Sequence, residues 1–249
     1  GRAGGGVEVK NVFNMAHTVV EHYEWLPPAL RARGLFFWRA MTTRFLLRRL
    51  VRPLADSLRP EIAAARARMG WGARERVIGL HVRHGDSCQT NIRRGKCVPL
   101  AKHVAEVRTV AALYNITAVY VATDNPAVVG QTSELLGPAM RVFALSLFDR
   151  RVFDSGHGVY IEQRLARGDL DRDAALRFTL MDLWLLSCSE VLVGHFTSNM
   201  SRLAHLLMSL RRKAIMPFVS VDGPWCHHWQ ACCGTRRDGS SQLCPFVET

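Results

Sequence analysis

VIGLHVRHGD, residues 77–86, runs from an apolar, β-favouring segment straight into Arg83, His84, Gly85 and Asp86. Val77, Ile78, Gly79, Leu80 and Val82, with His81 between the last two, predict a short buried strand, and the polar group falls where that strand ends. In open parallel α/β sheets, ligands bind beyond the carboxyl ends of strands, where loops aim side chains at them. A guanidinium held there is always charged and bidentate, which suits phosphate or carboxylate. The plainer alternative is a salt bridge between Arg83 and Asp86.

The alternation continues outward from this stretch. Strand-like runs recur at residues 118–123 (AVYVAT), 141–145 (RVFAL), 190–194 (EVLVG) and 213–218 (KAIMPF). Helical patterns lie between most of them, at 99–114, 126–136, 174–187 and 197–210. This is the signature of β-α-β units winding a parallel sheet, so the expected class is α/β with a Rossmann-like domain over 75–220. Residues 1–74 read as a helical, incomplete N-terminal lobe, and 221–249 as a Cys-rich tail. The longest connection, 148–173, is rich in Asp, Arg and Gly and reads as a surface loop holding a short helix.

Hydrophobic residues make up 48% of the 249, with no apolar run near the roughly 20 residues that cross a bilayer. The chain begins GRAGGG without an initiator Met, which suggests a piece of a longer protein. Lys and Arg exceed Asp and Glu by 33 to 21, which favours anionic partners. The arginines are scattered along helices with no block interleaved with aromatics, so nucleic acid is not the expected partner. Of seven Cys, Cys88 and Cys97 bracket a short Arg-rich loop that a bridge could staple, and four crowd the tail. With the sequons at Asn115 and Asn199, these point to an oxidising, secretory compartment. The tail residues Cys226, His227, His228, Cys232 and Cys233 are zinc-capable, but their spacing fits no familiar zinc motif and disulfide bonding is preferred.

Three strands end in polar groups: Arg83, His84 and Asp86; Thr123, Asp124 and Asn125; then His195, Thr197, Ser198 and Asn199. The last set opens a helix whose free N–H groups suit a phosphate, with Arg202 one turn further in. Each has a plainer reading: Asp124-Asn125-Pro126 is a common helix start, and Thr197-Ser198 can be simple capping. Asp182, a carboxylate in an apolar helix, needs either an arginine such as Arg177 or a ligand that donates hydrogen bonds. No GxxxxGK[ST] or GxGxxG element is present, and no DxD pair follows a strand, which disfavours a metal-bridged diphosphate.

VIGLHVRHGD, VYVATDNP and LMDLWLLSCSEVLVGHFTSNMSRLAHLLM resemble, in order and approximate spacing, the motifs of the α-1,6-fucosyltransferases, both the N-glycan core enzymes and the rhizobial Nod-factor enzymes. The resemblance covers Phe36 to Met208. It implies a GT-B architecture, GDP-fucose as donor, a glycan hydroxyl as acceptor, inversion at the fucose carbon and no metal. It also implies a Golgi enzyme whose only membrane attachment is a segment outside this chain. Carried over, Arg83 matches the arginine that grips the donor diphosphate, His81 and Asp182 match guanine contacts, and Ser198, with Thr197 beside it, matches the hydroxyl on the β-phosphate. Asp124 and Asn125 match a paired acidic position, with Asn in place of the second Asp. His84 stands where the core enzymes carry a second arginine and the bacterial enzymes resemble this chain. Where the core enzymes have a glutamate proposed as base, this chain has Thr90-Asn91, so the resemblance names no base.

Overall fold

The computed structural model describes residues 27–31, 33, 41, 44–45, 52–85, 88, 97–146 and 161–222, with the backbone of four further strands between 225 and 248. In chain order the elements are α1 (Pro28–Arg31), α2 (Arg52–Met69), β1 (Ile78–Val82), α3 (Leu100–Tyr114), β2 (Ala118–Thr123), α4 (Pro126–Leu136), β3 (Arg141–Phe143), α5 (Ile161–Arg167) and α6 (Arg172–Leu186). There follow β4 (Val191–Gly194), α7 (Asn199–Arg212), β5 (Ala214–Ile215), β6 (Phe218–Ser220), β7 (Trp225–His228), β8 (Ala231–Thr235), β9 (Ser241–Cys244) and β10 (Val247–Glu248). Among the described residues no helix is long and apolar enough to cross a membrane.

Five strands form a parallel sheet in the order β3-β2-β1-β4-β6, and β9, β8 and β7 extend it antiparallel from β6. The central strands are apolar throughout because helices cover both faces, and their residues divide by alternation. Ile78, Leu80, Val82, Val119, Val121 and Val193 pack under α3 and α4, while Ala118, Tyr120, Ala122 and Leu192 pack against α6 and α7. Leu58, Ile62 and Ala65 of α2 join this second core, where the Trp71 ring stacks on Phe143 at 5.8 Å.

Local chemistry sets the helix ends. Asn125 caps α4 by accepting from Ala127 N–H at 2.9 Å, and Pro126 fills the first helical position. Asp171 caps α6 through Asp173 and Ala174 N–H, which starts that helix two residues before the expected 174. Asn115 ends α3 in the left-handed region at φ 51. The expected single strand over 213–218 is two elements. Ala214–Ile215 pairs with β10, Pro217 interrupts, and Phe218–Ser220 joins β4 in the main sheet. Proline has no N–H for a ladder, so a continuous central strand through residue 217 is excluded.

Candidate active site

The register of β1 with both neighbours brings the three polar groups to one rim: Val82 lies opposite Thr123, and His81 opposite Ala122 and Gly194. The chain leaves β1 to build β2 and β3 on one side, then returns to place β4 and β6 on the other. The helices change face at the same place, so β1 and β4 flank the topological switch point, where open α/β sheets hold their ligands. Arg83 N–H donates to His195 Nδ1 at 3.3 Å, so the turns after β1 and β4 touch.

Each turn is held by a carboxylate from the strand outside it. Asp124, which follows β2, accepts from His84 N–H and Gly85 N–H at 2.9 Å each and pairs with the Arg83 guanidinium. Asp222, which follows β6, accepts from Phe196 N–H at 2.9 Å, Thr197 N–H at 3.3 Å, the Thr197 hydroxyl and the Ser220 hydroxyl. Charge-assisted bonds of this kind contribute about 1.5–3 kcal/mol each and fix the direction in which a turn points. Asp124 therefore orients Arg83, whose side chain keeps 22% exposure against 9% for its partner. A strand-end ion pair is present, between Arg83 and Asp124. Asp86 lies outside the described residues.

Helix α7 begins at Asn199, two residues after the expected start, because Thr197 is drawn onto Asp222. Ser198 takes the cap position but its hydroxyl makes no capping bond, and the first-turn N–H groups have no partner within the helix. Arg202 is 8% exposed and donates through Nε to Phe196 carbonyl, so it braces the turn from beneath. Burial lowers its pKa and the Asp222 charge opposes that shift. His81 is buried, with Nδ1 2.7 Å from the Ser201 hydroxyl. Gly194 makes this approach possible, since a Cβ there would lie 2.9 Å from Ser201 Oγ and 3.2 Å from His81 Cβ.

Two expected donor contacts have protein partners of their own. Asn125 is at the rim, but its side-chain oxygen is committed to the α4 cap, as the plainer reading had it. Asp182 packs beneath the sheet and accepts from the Tyr120 hydroxyl, while Arg177 pairs with Glu61. Tyr120 is three residues short of the end of β2, which at about 3.3 Å per residue places this pair some 10 Å below the rim.

The residues that sequence reasoning missed are Asp222 and His103. Asp222 had a signal: VYVATD and FVSVD both end an apolar strand on Asp. His103, on the first turn of α3, lies under the rim with ring centroids 4.5 Å from His195 and 5.7 Å from His84. His103 Nδ1 is 3.1 Å from Pro99 carbonyl and His84 Nε2 is 2.7 Å from Val98 carbonyl. Carbonyls only accept, so each histidine carries a proton on that nitrogen. Among the described residues no group of three His, Cys, Asp or Glu side chains is placed to hold a metal ion. The Cys88–Cys97 disulfide, with Cα atoms 5.6 Å apart, joins the end of the Arg83 turn to the segment leading into α3.

Burial lowers the pKa of His103 to about 4 against a bond to Pro99 that raises it, with the charges of His84 and Lys102 lowering it further. Burial does the same to His205, also to about 4, against a bond to Met216. The native state keeps both neutral at pH values where the unfolded chain is already protonated, so stability is complete above the unfolded value of 6.5 and falls as pH drops toward 4. Two such groups give a slope of about 2.7 kcal/mol per pH unit inside that window. Urea unfolding at a series of pH values measures it, and a flat profile below neutrality contradicts these placements.

No family model matches the chain, and no curated protein matches it. Solved structures similar to it include the NodZ alpha-1,6-fucosyltransferase soaked with GDP-fucose, at 20% identity and TM-score 0.44 over 78% of this chain and 48% of that one. The fucosyltransferase NodZ from Bradyrhizobium is similar at 19% identity and TM-score 0.38 over 76% and 46%. POFUT1 in complex with GDP is similar at 10% identity and TM-score 0.36 over 59% and 43%. The chain spans about half the length of these structures or less.

Proposed function

We propose that the protein is an inverting glycosyltransferase that moves fucose from GDP-fucose to a hydroxyl of a glycan acceptor, in α-1,6 linkage and without a metal. The observation that carries this reading is the meeting of the Arg83 turn and the α7 start at the switch point, tied by the Arg83–His195 bond of 3.3 Å. A diphosphate there meets a guanidinium from one side, and the Ser198 hydroxyl and a helix N-terminus from the other. The three-motif resemblance supports GDP-fucose as the nucleotide sugar. As the bond from the fucose C1 to the β-phosphate breaks, Arg83 and the α7 start offset the charge that grows on GDP. His81, behind the rim, suits a role in ordering the guanosine end, while Thr197 and Arg202 hold the phosphate turn.

A thermal-shift panel of the full-length protein against GDP, GDP-fucose, GDP-mannose and UDP sugars tests this. Stabilisation by the guanosine compounds alone is expected, and equal response to uridine compounds contradicts it. A second reading, a binding module without turnover, is favoured by one observation: the described rim carboxylates, Asp124 and Asp222, are both saturated with donors.

The Cys88–Cys97 bridge supports a secretory, Golgi-lumen location, because disulfides persist in oxidising compartments. The two sequons differ in setting. Asn115 is exposed at the opposite end of the sheet from the site, whereas Asn199 opens α7 and its Ser201 is buried on His81. Enzymatic removal of Asn-linked glycans from the secreted chain should lower its mass through Asn115, and Asn115→Gln should abolish that change. A mass shift retained in the variant contradicts this placement.

A further inference from the structure

The proposed transfer leaves one proton unassigned, since the attacking hydroxyl must lose it as the new bond forms. At the described rim most ionisable groups are committed. Asp124 and Asp222 are occupied by the turns they hold, Asp182 is in the core under Tyr120, and His195 receives Arg83 N–H on Nδ1. His103 is fully buried.

His84 differs from all of these. It is half-buried, one residue beyond Arg83, with its main chain fixed by Asp124 at 2.9 Å and its ring fixed by Val98 carbonyl at 2.7 Å from Nε2. The proton on Nε2 leaves the lone pair on Nδ1, and a ring fixed at Nε2 on a fixed main chain needs little reorganisation to use it. Facing the ring are His103 from α3 and His195 from beyond β4, with centroids at 5.7 and 6.1 Å, while the Asp124 carboxylate accepts from the main-chain N–H of His84. Among the described residues Arg83 precedes His84 in the chain and the Lys102 charge acts on the adjoining His103.

Resting on the function proposed above, we infer that His84 is the general base of the transfer. Its Nδ1 takes the proton of the attacking hydroxyl while the oxygen bonds to the fucose C1 and the bond from C1 to the β-phosphate oxygen breaks. The electron pair leaves with GDP, and the imidazolium stands beside the diphosphate and later returns its proton to solvent. This assigns to a histidine the step for which the chain has Thr90-Asn91 in place of a glutamate.

The test uses the full-length protein with GDP-fucose alone, water serving as acceptor, and follows GDP release against pH alongside calorimetric GDP binding. In the wild type, kcat/KM is expected to rise with pH to a plateau as the base deprotonates. His84→Gln should slow release on the order of 10²-fold, remove the acidic limb and leave GDP affinity within about threefold. Added imidazole should restore part of the rate to His84→Ala, which a purely structural role would not allow. An acidic limb that survives in His84→Gln, or a rate loss matched by an equal loss of GDP affinity, overturns the inference. Wild-type protein that binds GDP without releasing it from GDP-fucose overturns it too and leaves the binding module standing. Failure to bind either nucleotide removes the underlying reading as well.

Discussion

Arg83→Ala is expected to reduce GDP-fucose turnover by on the order of 10² to 10³, the usual cost of deleting one donor aimed at developing charge. The side chain sits at the switch point, oriented by Asp124 and partly open to solvent. Its removal leaves Asp124 bonded to His84 N–H and Gly85 N–H, so the turn survives and the stability lost should not exceed about 1.5–3 kcal/mol, that of one charge-assisted bond. Lysine should recover only a small part of the rate, because a point charge does not reproduce a planar fork of donors. GDP release measured for wild type, alanine and lysine decides the matter. Turnover within a few fold of wild type in the alanine variant would remove Arg83 from the chemistry.

Gly85→Ala should be nearly as damaging for a steric reason. A Cβ at residue 85 would lie 2.5 Å from Asp124 Oδ2 and 2.7 Å from its Cγ, and this carboxylate cannot swing aside without giving up its partners. Those partners are the Arg83 guanidinium and two backbone N–H groups. The cost should be about 3 kcal/mol of stability, with GDP affinity falling at least about tenfold as Arg83 loses its orientation. Because the clash and the carboxylate are one unit, Gly85→Ala combined with Asp124→Ala should be no worse than Asp124→Ala alone. Additive losses in unfolding and in calorimetric GDP binding would contradict this account of the glycine in VRHGD.

The sheet was legible because β1, β2 and β4 are buried on both faces and read as short apolar runs ending abruptly in polar residues. The run KAIMPF misled because composition does not reveal that residues 214–215 and 218–220 pair with different strands. The site divides in the same way. Arg83, Thr197 and Ser198 could be read locally, since a strand end or helix start announces them. Asp182 could not, because its partner Tyr120 is 62 residues away and only the packing of α6 on β2 brings them together. Asp222 acts on a turn 25 residues or more distant in the chain and announces itself only by analogy with Asp124, while His103 meets His84 and His195 only through the packing of α3 under the rim.

The proposed function requires that a diphosphate bridge the Arg83 turn and the start of α7. A crystal structure of the full-length protein with GDP bound tests it most directly. Phosphate oxygens are expected within hydrogen-bond distance of the Arg83 guanidinium on one side and of the Ser198 hydroxyl or the first N–H groups of α7 on the other. GDP seated away from the β1–β4 switch point, with Arg83 touching only Asp124, would contradict it.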